Sequence, residues 1–130
     1  MSGLRRFIGD RGGATALEFA LIGLPFIMLM LGLIEFGRGL HIRNGLDNAV
    51  DRAQRILLID PGAAAGSIET EIRAAFRAGS QERLTVAITG SPSGGNIRTL
   101  TVTYQMDLLL PAPIGRTISI GSARQVVIAP

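Results

Sequence analysis

Glu18 is an acid set in apolar sequence. Residues 19–34 read FALIGLPFIMLMLGLI, and residues 12–17 carry no charge either. A carboxylate at the centre of a bilayer costs about 2.5–3.5 kcal/mol on insertion scales. Its natural chemistry in such a place is charge pairing, with a cation one helical turn away or on a neighbouring chain. An acid in a first helical turn also suits the positive end of the helix dipole. The plainer alternative puts Glu18 among lipid headgroups, where it is merely hydrated.

The remaining chemistry is sparse. His41 is the single histidine, and cysteine and tryptophan are absent. That inventory excludes a disulfide framework, a thiolate metal site and a cysteine nucleophile, and it leaves little for a Ser-His-Asp site. His41 therefore reads as an interfacial or helix-surface residue. Asp47 and Asp51 share a helix face, but without a further ligand they read as surface charges. No G-x-S-x-G, P-loop, HExxH or dinucleotide-binding glycine pattern occurs. Residues 90–96, GSPSGGN, join two strands and do not open a helix, so a phosphate cradle is not expected. The expectation is no catalytic residue, no metal, no cofactor, no small-molecule substrate and no enzyme.

The pI of about 11.0 comes from an all-arginine basic set, while the net charge is only +3. Most of that excess lies in residues 1–13, with Arg5, Arg6 and Arg11 against Asp10. A basic face for nucleic acid has no support. Charged residues make up 18% of the chain, below the roughly 25% usual for soluble proteins.

These residues need an apolar helix to hold them. The 16 uncharged positions 19–34 rise ~24 Å as a helix, and extension back to Gly12 makes a full span. Pro25 removes one backbone bond, to the Leu21 carbonyl, and should bend or open the helix. Ala16, Ala20 and Gly23 form a small-residue stripe. An ordinary secretory signal fits the basic start, but the apolar core runs into Glu35-Phe36-Gly37-Arg38 without a small-x-small site. An uncleaved anchor and a cleaved leader remain.

Beyond the span, Leu46, Ala49, Val50, Ala53 and Leu57 recur at helical steps, and Asp51 and Arg55 form an i,i+4 pair. Gly37, Gly39 and Gly45 allow either one long helix with a soft elbow or two helices meeting near Gly37. Asp60-Pro61-Gly62 ends this helix. Ser67 should cap a short helix over 68–78, with Glu69 and Glu71 in its first turn, Ile68, Ile72, Ala75 and Phe76 as its stripe, and Gly79 closing it. Period-two alternation then marks strands at Leu84, Val86 and Ile88, at Leu100, Val102, Tyr104 and Met106, and at Ile118, Ile120, Val126 and Ile128, the last interrupted at Gly121. The fold class is α+β, with a three-stranded antiparallel meander whose apolar face covers the amphipathic helix. So small a core is marginal, and the domain is expected to lean on partners. Leu108 to Ile114, LLLPAPI, should pack over an open end of the sheet, the alternative being an exposed docking edge.

The stretch from Gly12 to about Arg55 resembles the TadE-like family of tight-adherence (Flp-type) pilus-assembly proteins. The resemblance rests on RGGATALEFALIGLP, the apolar run, LIEFGRGL and a helix ending NAVDRAQR, about a third of the chain. It implies a prepilin-type leader over residues 1–13, cut by a prepilin peptidase between Gly13 and Ala14, with Glu18 and Phe19 as the acid and aromatic of the motif. The new amino group on Ala14 would be the cation one turn from Glu18. It also implies a pilin-like transmembrane helix over 14–34 with its kink at Pro25, a membrane-boundary motif at Glu35, Phe36, Gly37 and Arg38, an amphipathic helix over 35–59 and an extracytoplasmic domain over 60–130. The implied role is a minor pilin-like (pseudopilin) subunit, with its amino terminus cytoplasmic, in a bacterial inner membrane. Implied partners are other pilin-like subunits and the assembly platform. Arginines on both sides of the span leave orientation unresolved by charge. The competing reading is a membrane-tethered extracytoplasmic binding or sensor module with no pilus role.

Overall fold

A computed structural model describes residues 11–90, 96–112 and 115–127. Residues 1–10, which hold most of the leader expected over 1–13, most of the 90–96 loop, Pro113, Ile114 and Ile128 lie outside the described residues. In chain order the elements are helix α1 (Arg11–Ile59), helix α2 (Ala65–Ala75), a 3₁₀ turn (Gln81–Arg83) and strands β1 (Leu84–Thr89), β2 (Ile97–Ala112) and β3 (Gly115–Val127). The strands form one antiparallel sheet in the order β1-β2-β3. The architecture is α+β, a long apolar helix leading into a short helix and a meander. The chain divides into two units, one ending at Ile34 and the other beginning at Glu35.

In the first unit, α1 presents its large apolar side chains to the outside. Phe19, Leu21, Ile22, Leu24, Phe26 and Ile27 are all exposed. A helix apolar on every side has no water-facing stripe and needs an apolar solvent or many partners. Among the described residues α1 is the one helix long and apolar enough to cross a membrane. Pro25 lies inside it without ending it.

The second unit is built as the periodicity predicts. Leu46, Ala49, Val50, Ala53 and Leu57 are fully buried, joined by Ile42. They meet Leu100, Val102, Tyr104 and Met106 of β2, together with Leu84 and Val126 from the flanking strands. The outer face of the sheet is polar, with Thr99, Thr101, Thr103 and Gln105 alternating with the buried set, as expected when one face is solvated. Of the two arrangements open at Gly37, the continuous helix is the one formed. The helix ends at Ile59, where Asp60 Oδ1 accepts the Gly62 N–H at 3.1 Å. Gly45 is needed there: a Cβ on it would lie 2.7 Å from the Ala78 Cβ. Gly90 opens the β1–β2 hairpin at φ +105°, a conformation suited to glycine.

Several local expectations are corrected. Helix α2 starts at Ala65, and Ser67 does not cap it; the Ala64 carbonyl accepts from the Ser67 and Ile68 N–H groups instead. Glu69 and Glu71 therefore fall beyond its first turn. The helix stops at Ala75 because Phe76 turns extended (φ −77°, ψ 109°) and buries its ring 5.3 Å from Tyr104. The Gln81 side chain covers this end, donating to the Arg73 and Phe76 carbonyls at 2.9 Å each. Gly79 does not close the helix; a Cβ there would run into the Tyr104 ring. Strand β3 is not interrupted at Gly121, which pairs with Thr103. Residues 108–112 belong to β2 and are not a separate cover. The pairing jumps from Asp107↔Thr117 to Ala112↔Gly115, so four residues of β2 stand opposite one of β3. This bulge accommodates Pro111, which has no N–H to give to a ladder.

Candidate functional site

The residues singled out in sequence fall on α1, one group in each unit. In the first unit, Gly13, Ala14, Glu18 and Phe19 lie within the first three turns of α1 and are exposed. The space a Cβ would take on Gly13 is open. Among the described residues, nothing forms an ion pair with Glu18. The carboxylate stands on the helix beside exposed apolar side chains, and among the described residues no side chain pairs with it. Such a group offers one thing chemically, a fixed anionic point for a cation or donor brought to it.

In the second unit, Glu35 and Arg38 are brought together one helical turn apart, at 3.3 Å. The Glu35 carboxylate does more than pair along the helix. It accepts the Leu109 backbone N–H at 2.9 and 3.1 Å. The bulge in β2 takes this N–H out of the strand ladder, and Glu35 receives it. Phe36 points outward. Gly37 and Arg38 line a groove of about 460 Å³ with His41, Arg83, Tyr104 and Asp107. Arg83 pairs with Asp107 there, and Tyr104 Oη accepts the Ser80 N–H at 3.3 Å. The groove carries guanidinium, imidazole and carboxylate groups but no nucleophile set against a base. Its capacity is for polar binding. Among the described residues no cluster of three or more histidine, cysteine, aspartate or glutamate side chains is placed to hold a metal.

Further along α1, Asp47 and Asp51 are not idle surface charges. Asp47 Oδ1 accepts from Ser122 Oγ at 2.6 Å, and Asp51 pairs with Arg124 at 3.0 Å. The local Asp51–Arg55 pair expected from spacing gives way to the partner on β3. Arg52 reaches Glu71 at 3.5 Å, which ties α1 to α2. The sequence offered no signal for Leu109, Arg83, Asp107 or Ser122, because each becomes a neighbour only once the strands are paired.

Compared with known proteins, residues 13–55 match the family model described as TadE-like protein. The match begins at Gly13, ends at Arg55 and spans about a third of the chain. No curated protein and no solved structure gives a match.

Proposed function

We propose that this chain is a minor pilin-like, single-pass membrane subunit that takes part in assembling a tight-adherence pilus or a related secretion system. The observation that carries the reading is the coincidence of the TadE-like segment, residues 13–55, with an apolar helix bearing one acid near its start. Residues 14–34 would lie in the inner membrane, with the amino terminus cytoplasmic and residues 35–130 outside the cytoplasm. A prepilin peptidase would cut between Gly13 and Ala14. The protein is then a substrate of that peptidase and not an enzyme itself. Its partners are other pilin-like subunits and the assembly platform.

The mechanism is structural. Cleavage makes an α-amino group on Ala14, four residues before Glu18, and side chains four apart on a helix are neighbours. In hydrocarbon such a pair is favoured because each charge would otherwise be desolvated alone. Pairing within one subunit or between two sets how deep adjacent helices sit. The exposed apolar faces then pack laterally.

Amino-terminal sequencing of the membrane-extracted protein, co-expressed with a prepilin peptidase, tests this. A chain that begins at Ala14 is expected. A chain that keeps residues 1–13 and assembles normally as Glu18→Ala would remove the processing and pairing roles together, and would favour a tethered binding module.

A further inference from the structure

We propose that the groove between α1, β2 and the 3₁₀ turn binds a carboxylate carried on an apolar group, the chemistry of a peptide chain end. The inference goes beyond the pilus reading and holds whether or not residues 1–13 are removed. The groove lies wholly within the second unit. Its volume, about 460 Å³, falls in the range of small-ligand sites. Ile42, Ala78 and Met106 supply an apolar wall, and Arg38, His41 and Arg83 bring donors to it. Gly79 lines the groove as well, and a Cβ on it would run into Tyr104 Oη, so this hydroxyl lies at the wall.

The donors at this site outnumber their partners. Among the described residues His41 makes no hydrogen bond and no ion pair. The buried Tyr104 accepts the Ser80 N–H, and among the described residues its own O–H goes to no acceptor. Arg38 reaches Glu35 through one nitrogen at 3.3 Å, and the same carboxylate already takes the Leu109 N–H at 2.9 Å. The Nε and the second terminal nitrogen of Arg38 remain for a ligand. Arg83 holds Asp107 and so keeps that carboxylate from repelling an incoming anion. Two guanidinium groups stand against Asp107 and Glu35, which leaves little positive charge for a dianion. A single carboxylate suits the site better, because its planar oxygens fit the guanidinium fork. His41 and Tyr104 add donors, and the apolar wall takes the group that bears the acid.

His41 and Tyr104 are the single histidine and the single tyrosine of the chain, so each reports on the groove alone. The full chain in uncharged maltoside micelles is titrated with N-acetyl-leucine and followed by the His41 ring resonances and Tyr104 fluorescence. A saturable change in both is expected. N-acetyl-leucinamide has the same bulk without the charge and should bind about tenfold more weakly, the loss of one charge-assisted contact. Arg38→Gln should weaken N-acetyl-leucine binding about tenfold for the same reason. Asp107→Asn should tighten it, by removing the competing acid and freeing Arg83. The two variants move affinity in opposite directions, which a general loss of folding does not do. Hexanoate separates the sources: tighter binding of N-acetyl-leucine assigns a peptide end, and tighter binding of hexanoate assigns a simple organic acid. Absence of a saturable change would overturn the proposal. Equal binding of the amide, or tighter binding of inorganic phosphate, would do so too, as would a response that neither variant alters.

Discussion

Leu109 gives its backbone N–H to both carboxylate oxygens of Glu35, across 74 positions of sequence. A helix residue and a strand bulge are thereby fixed to each other by a charge-assisted bond. The Glu35 side chain is only 12% exposed, so the bond is poorly screened by water. Bonds to charged acceptors of this kind contribute about 1.5–3 kcal/mol when buried, and less near the surface.

Glu35→Ala should therefore lower the stability of the second unit by about 1 kcal/mol, a fall of roughly 4–8 °C in Tm for a domain of this size. Glu35→Gln keeps one acceptor for Leu109 and should lose less than half as much. Thermal unfolding of the full chain in detergent micelles, followed by circular dichroism, measures both. Equal losses would mean that the charge is what matters and the acceptor is not.

Two helix glycines should respond in opposite directions. Gly37 has open space where a Cβ would go, so Gly37→Ala gains the helix propensity of about 0.8–1 kcal/mol. Gly45→Ala gains the same propensity but drives its Cβ into Ala78, and overpacking costs about 1–3 kcal/mol. The clash should win. Gly45→Ala combined with Ala78→Gly should recover stability relative to Gly45→Ala alone, as read by denaturant midpoints.

The acids on α1 should also separate. Asp51 and Arg124 are about half exposed, so Asp51→Ala should cost under about 1 kcal/mol and the cost should fade in high salt. Asp47 is half-buried and bonded to the Ser122 hydroxyl. Asp47→Ala should cost about 1–2 kcal/mol with little salt dependence. Unfolding at low and high ionic strength distinguishes them.

Arg98 is 3% exposed, donates to the Ala63 carbonyl at 2.8 Å and, among the described residues, leaves its Nε without a partner. Much of its value is its aliphatic stem. Arg98→Met keeps that volume and removes a buried charge, so it should cost clearly less than Arg98→Ala, which adds a cavity of order 2–5 kcal/mol. Comparing the melting temperatures of the two variants decides it.

The core was legible in the sequence because burial follows period. Every residue of the stripe Leu46, Ala49, Val50, Ala53 and Leu57 is buried, and so is the β2 set from Leu100 to Met106. Local rules failed where tertiary partners outcompeted them. Spacing favoured Arg55 for Asp51, but Arg124 takes it once β3 lies against the helix. Ser67 carries the preferred capping side chain, yet the helix starts two residues earlier, with Ala64 at the cap position and no side-chain cap. Residues 108–114 read as a cover over the end of the sheet, yet β2 continues through Pro111 to Ala112 by a bulge. The start of the TadE-like segment, at Gly13, was visible in sequence. The link from Glu35 to Leu109 was not, since a backbone N–H leaves no mark on residue type.

The bulge that contains Pro111 also guards against mispairing. A one-residue slide of β2 would turn Leu100, Val102, Tyr104 and Met106 outward together. It would also carry the Leu109 amide away from its carboxylate. The kink thus acts as a peg: it makes the hairpin's alternative alignments incur both losses at once, in a sheet too small to tolerate a wrong one.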